Sequence, residues 1–138
     1  MTQKADTLFT NAIVLTMDGK LNQYDPGAVV VKGDSIIAVG PETEITKEYS
    51  ADEIIDCGGK VLMPGLVNAH THVPMTLLRG LADDLRLDVW LMGYMLPVER
   101  EFVSPEFVRL GTSLACAEQI RSGVTTFNDM YFFEDDIA

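Results

Sequence analysis

Hydrophobic positions in the first 63 residues fall in short runs broken by turn-forming residues. Leu8–Met17 is rich in β-branched and aromatic side chains and is closed by Asp18-Gly19, which predicts a strand. Ala28–Val31 and Ile36–Val39 are two further apolar runs. Between them lies Lys32-Gly33-Asp34-Ser35, the chemistry of a tight hairpin. Glu53–Asp56 and Lys60–Met63 flank Gly58-Gly59 and read as another pair of extended segments, with Pro41–Ser50 as a polar connection or a single helical turn. Residues 1–63 therefore predict the N-terminal part of a small β-sandwich or sheet.

Beyond residue 64 the pattern changes. Leu66–Ala69 is one more short apolar run. Met75–Gly80 reads as a short helical piece closed by glycine. Asp88 stands where a cap is expected, and Leu87–Leu96 carries Trp90, Leu91, Tyr94 and Met95 at helical spacing, interrupted by Gly93 and stopped or restarted by Pro97. The clearest helix spans residues 104–122. Ser104 suits the N-cap, Pro105 the first turn, Glu106 the positive end of the dipole and Gly123 the C-terminal stop. Phe107, Leu110, Gly111, Leu114, Ala117, Glu118 and Arg121 follow i, i+3, i+4 spacing, so the apolar members are expected to face a sheet. Val124–Asn128 then reads as a strand. Strand, helix and strand in that order make a βαβ unit with a parallel pair, and the long segment 73–103 opens at the C-terminal end of the first strand, where such folds place their sites. One βαβ unit cannot cover both faces of its strands. The fold class expected is α/β, with residues 64–138 as the first βα units of a (β/α)8 barrel and the chain as the N-terminal part of a larger architecture.

Composition narrows the function classes. The 138 residues carry 21 acids against 10 bases, a formal charge of -11, and that field repels phosphate backbones and anionic lipids. No nucleic-acid or membrane partner is expected. No apolar run approaches the roughly 20 residues that span a bilayer, and residues 1–6 lack the apolar core of a signal peptide. Cys57 and Cys116 lie apart among small or apolar neighbours, which fits two buried thiols in a reducing cytoplasm better than a disulfide.

The chemistry concentrates in Pro64-Gly65-Leu66-Val67-Asn68-Ala69-His70-Thr71-His72, which holds the only two histidines. Side chains at i and i+2 of a strand leave the same face, so His70 and His72 would point at one spot. Neutral imidazole is a common zinc ligand. By spacing alone the pair reads first as two hydrogen-bonding side chains at a strand end and only second as two metal ligands. Glu99, within Glu99-Arg100-Glu101, reads on its own as a solvated acid at a helix end. Trp90, Met75, Met92 and Met95 read as packing residues. Asp83-Asp84 and Glu134-Asp135-Asp136 read as solvated loops or helix starts.

Taken together, Val61-Leu62-Met63-Pro64-Gly65-Leu66-Val67-Asn68-Ala69-His70-Thr71-His72 resembles the first-strand signature of the metal-dependent amidohydrolase superfamily. Pro74–Gly80, Asp83-Asp84 and Asp88–Leu91 resemble, more narrowly, the deaminases of 5'-methylthioadenosine and S-adenosylhomocysteine and their relatives among triazine chlorohydrolases, and Leu96-Pro97-Val98-Glu99 resembles the deaminase branch. The resemblance covers nearly the whole chain but only the N-terminal portion of such an enzyme. It implies a hydrolase of a small nucleoside substrate that uses one divalent metal ion, zinc, with His70 and His72 as metal ligands and Glu99 as the ribose-binding acid. It also implies a homo-oligomer when full length. No catalytic acid or base falls within this chain by that resemblance, since the remaining ligands and the glutamate proton shuttle belong to later strands. The alternatives left open are a triazine- or guanine-type amidohydrolase and a non-catalytic fragment that acts only with the missing barrel.

Overall fold

The structure, a computed structural model, describes residues 2–137. The chain divides into two compact units, one ending at Pro64 and the next beginning at Gly65.

The first unit is a single five-stranded mixed sheet with one helix. Its strands are β1 (Gln3–Leu15), β2 (Gln23–Lys32), β3 (Ser35–Pro41), β4 (Tyr49–Asp56) and β5 (Val61–Leu62), with α1 (Glu42–Glu48) between β3 and β4. The order is β3-β2-β1-β4, and β5 also pairs with β1. The β2–β3 hairpin turns at Gly33-Asp34, as the turn chemistry predicts. The polar connection after β3 forms a seven-residue helix, whose Ile45 completes a core with Ala5, Leu8, Ala28 and Val30.

The segments flanking Gly58-Gly59 do not pair with each other. Both β4 and β5 run parallel to β1 along successive stretches of it. The ladder continues between them through Cys57 N to Thr10 O at 2.9 Å, Gly59 N to Asn11 O at 2.7 Å and Ile13 N to Lys60 O at 2.9 Å. Asn11 sits at a bulge with φ of 50°. Its side chain donates to Asp56 Oδ1 at 2.8 Å, while its backbone N–H donates to Glu42 Oε2 at 2.8 Å. Among the described residues this unit has one sheet layer.

The second unit contains two parallel strands, β6 (Leu66–Thr71) and β7 (Val124–Asp129), joined through helical segments. Val73–Leu78 is a 3-10 turn leading away from β6. Gly93 does not interrupt residues 87–102, which form one continuous helical run, and Pro97 begins a new turn within it rather than stopping it. It comprises α2 (Leu87–Trp90), a wide π-type turn (Leu91–Met95) and α3 (Leu96–Phe102). Proline has no N–H to donate one turn back, and a widened turn beside it accommodates that missing bond. Asp88 is not the cap. Arg86 holds that position, and Asp88 lies in the first turn, paired with the Arg86 guanidinium at 2.8 Å.

The longest helix, α4 (Pro105–Arg121), begins and ends where its local signals put it. Ser104 Oγ accepts from Phe107 N at 3.2 Å, and Gly123 follows with φ of 79°, a left-handed stop that glycine adopts without strain. Its buried face differs from the predicted one. Val108, Gly111, Thr112 and Ala115 are buried, whereas Leu110 and Leu114 are exposed at 62% and 41%. Apolar residues occur all round this helix, so spacing alone selects no single face. The 3-10 turn settles it by packing against Gly111. Cys57 and Cys116 are free and half-buried rather than buried. Among the described residues no helix is long and apolar enough to cross a membrane.

Candidate functional site

Parallel strands end together, and the register fixes what their ends share. Thr71 lies opposite Asp129. Its hydroxyl donates to the Asn128 carbonyl at 3.0 Å, with Asp129 Oδ1 a further 3.2 Å acceptor. Asp129 also accepts from Met130 N at 2.8 Å and from Val73 N at 3.3 Å. This aspartate therefore ties the exits of β6 and β7 together.

On that tied edge the two imidazoles stand side by side, with ring centres 5.2 Å apart and planes inclined at 78°. His70 is exposed and His72 half-buried. His72 Nδ1 lies 2.6 Å from the Met130 carbonyl oxygen. A carbonyl only accepts, so Nδ1 carries a proton in this contact, and in the neutral tautomer Nε2 is left with the lone pair. That is the arrangement by which a neighbouring carbonyl orients a metal-binding histidine. Zn–N bonds of about 2.0–2.1 Å, plus roughly 1.1 Å from ring nitrogen to ring centre, place two tetrahedral imidazole ligands with centres about 5 Å apart. The observed separation fits one ion. Among the described residues no group of three or more His, Cys, Asp and Glu is placed to hold a metal.

A cavity of about 330 Å³ opens beside His72, with Trp90, Met95 and Phe132 among its apolar walls and Glu99 and Tyr131 as its other polar members. The structure thus brings Glu99 to the same cavity as His72, while His70 is not among its lining residues. Glu99 is half-buried rather than fully solvated, and its Oε1 accepts from the Tyr131 hydroxyl at 2.8 Å. Burial raises the Tyr131 phenol, and its hydrogen bond to Glu99 with the negative charges of Glu99 and Asp129 raises it further. The hydroxyl therefore stays protonated and can only donate to the acid. Trp90 is half-buried against the cavity, Met95 is buried, and Met75 lines the wall. Met92 does not pack: it is 67% exposed. Asp83 and Asp84 are solvated, as expected, whereas Asp136 pairs with Arg109 at 2.7 Å.

Sequence reasoning missed Tyr131 and the Met130 carbonyl. Only the Thr71–Asp129 register identifies residues 130 and 131 as neighbours of the strand-end histidines.

Residues 61–138, more than half of the chain, match the family model described as Amidohydrolase family. The chain is 50% identical over 135 residues to a 5-methylthioadenosine/S-adenosylhomocysteine deaminase of Syntrophobacter fumaroxidans. It is 49% identical over 134 residues to a 5'-deoxyadenosine deaminase of Methanosarcina mazei. These alignments take in 98% and 97% of the chain but 31% and 30% of those proteins, so the chain spans less than a third of the length of these curated relatives. A crystal structure of an adenosine deaminase from Xanthomonas campestris with bound zinc matches with a TM-score of 0.92 at 42% identity, covering 100% of this chain and 31% of that one.

Proposed function

This chain belongs to the amidohydrolase family, and on that footing we propose that it is the N-terminal part of a zinc-dependent deaminase of adenosine analogues. Methylthioadenosine and S-adenosylhomocysteine are the substrate types proposed, with the inosine analogues as products. In this reading β6, α4 and β7 open a (β/α)8 barrel, and the five-stranded sheet is one layer of a β-sandwich. Exposure supports it: Leu66 and Val67, adjacent on β6 and so on opposite faces, are 49% and 67% exposed. Parallel strands are stable when both faces are covered.

The observation that carries the proposal is the convergence of an imidazole, an indole and a carboxylate on one cavity from three separate segments. These are His72 after β6, Trp90 in α2 and Glu99 in α3. His70 and His72 would hold the zinc ion, with the Met130 carbonyl fixing the His72 tautomer. The chemistry zinc supplies at such a site is acidification of water, from a pKa of 15.7 towards about 7, for attack on the ring carbon bearing the exocyclic amine. Glu99 would accept both hydroxyl protons of the ribose, a charge-assisted pair. Trp90, Met95 and Phe132 would exclude water around the nucleoside. The proton delivered to departing ammonia must come from a group outside this chain's site residues.

The test is Glu99→Gln in a full-length deaminase carrying this chain. Hydrogen bonds to charged groups contribute about 1.5–3 kcal/mol, so kcat/KM for an adenosine-type ribonucleoside should fall about ten- to a hundredfold. A 2',3'-dideoxy analogue, having no diol, should lose little. An equal loss on both substrates would remove Glu99 from sugar binding and leave a ring-directed amidohydrolase of the triazine or guanine type.

A further inference from the structure

Tyr131 belongs to no motif read from the sequence, yet it reaches Glu99 across 32 positions of chain. Among the described residues the Glu99 carboxylate accepts from this hydroxyl alone. A carboxylate offers about four lone-pair sites. Tyr131 occupies one on Oε1, so acceptor capacity remains on both oxygens. The tyrosine is itself held: its ring lies 5.1 Å from Phe132 and 6.2 Å from His72, centre to centre. The residue before it supplies the carbonyl that fixes the His72 imidazole. Two consecutive residues after β7 thus carry the partner of the imidazole and the partner of the acid.

A glutamate side chain has several rotatable bonds whose freedom is lost when it binds a ligand. A donor that already holds one oxygen reduces that loss, and the acid meets its ligand preorganised. The pair also has a definite polarity. The phenol donates and the carboxylate remains a charged acceptor, which suits a neutral vicinal diol with two O–H donors and repels a phosphorylated sugar.

We propose that Tyr131 is a positioning residue for sugar recognition, holding Glu99 so that its carboxylate takes a vicinal diol in one bidentate geometry. Selection of ribonucleosides over deoxyribonucleosides then depends on the Tyr131 hydroxyl as well as on Glu99. This deepens the reading of Glu99 as the diol acceptor and rests on it.

The experiment is a cycle of Tyr131→Phe, Glu99→Gln and the double variant in the metal-loaded, full-length protein carrying this chain. Each is assayed with an adenosine-type ribonucleoside and its 2',3'-dideoxy counterpart. Tyr131→Phe keeps the ring and removes one hydrogen bond. KM for the ribonucleoside should rise about three- to tenfold, with kcat and the dideoxy KM little changed. It should add nothing in the Glu99→Gln background, because the hydroxyl acts through that acid. Binding of the inosine-type product to metal-free protein, measured by calorimetry, should weaken by the same factor, which separates positioning from turnover.

An equal loss on both substrates would make Tyr131 structural and overturn the proposal. So would an unchanged KM for Tyr131→Phe while Glu99→Gln is ribose-selective, and in that case the reading of Glu99 survives alone. An unselective Glu99→Gln brings down both. If Tyr131→Phe does not fold, Tyr131→Leu decides by the same readout, since it also removes the hydroxyl and leaves Glu99 in place: an unchanged ribonucleoside KM overturns the proposal, and a ribose-selective KM rise supports it.

Discussion

Gly111 offers the sharpest test of how the site is supported. It lies on the buried face of α4, and a Cβ there would stand 2.5 Å from the Pro74 carbonyl oxygen, 2.7 Å from Pro74 Cα and 3.0 Å from its carbonyl carbon. All three are backbone atoms, so no side-chain rotation relieves the overlap. Restoring ordinary contact at 3.4 Å requires the helix and the 3-10 turn to separate by nearly 1 Å. Two effects oppose each other in Gly111→Ala. Alanine stabilises a helix interior by about 0.8–1.0 kcal/mol over glycine, and overpacking a tight contact costs about 1–3 kcal/mol. A backbone-to-backbone overlap belongs at the upper end of that range, leaving a net loss of about 1–2 kcal/mol. Gly93→Ala is the control. That glycine is exposed, with nothing within 4 Å of the added Cβ, and should gain about 0.5–1 kcal/mol. Urea unfolding followed by tryptophan fluorescence reads the right part of the molecule, because Trp90 is the only tryptophan and lies in the second unit. With slopes of about 1–3 kcal/mol per molar urea, the Gly111→Ala midpoint should drop by roughly 1 M while Gly93→Ala rises slightly. A Gly111→Ala midpoint at or above the parent's would show that helix propensity outweighs the Pro74 contact, and the reasoning would fail.

Two further outcomes follow from the same geometry. The 138-residue chain alone should bind zinc weakly through its two imidazoles and show no turnover of methylthioadenosine, since a zinc site of this kind needs about three protein ligands. Competition with a chromophoric chelator should detect the binding and its loss in His70→Ala and His72→Ala, and turnover above a metal-containing buffer blank would contradict the expectation. Asp56 is held below its usual value of 3.8 by the Gly58 N–H first and the Asn11 amide second. A carboxylate lowered on folding stabilises the protein above its unfolded pKa, and that contribution is lost as pH falls through the folded value. Asp56→Asn should therefore flatten the acid limb of the first unit's stability below about pH 4, and an unchanged acid limb in thermal unfolding would refute the assignment.

The sequence by itself determined what neighbouring residues decide between them. Ser104, Pro105 and Gly123 bound α4 because capping and left-handed stops are satisfied within one turn of chain. Gly33-Asp34 closes the β2–β3 hairpin for the same reason. The i, i+2 spacing keeps the two imidazoles together, because His70 lies in β6 and His72 directly follows its last residue, so their separation is set within three residues of chain. Tertiary structure decided what depends on the path of distant segments. The buried stripe of α4 is Val108, Gly111, Thr112 and Ala115 because Pro74 packs there, and a helix with apolar residues all round has no preferred face until something meets it. The parallel docking of β4 and β5 on β1 depends on a bulge at Asn11 and a glycine turn more than 40 residues later, which hydrophobic periodicity does not link. The Met130 carbonyl on His72 and the Tyr131 hydroxyl on Glu99 span 58 and 32 positions, and they meet only because β6 and β7 pair in a parallel register that brings Thr71 opposite Asp129.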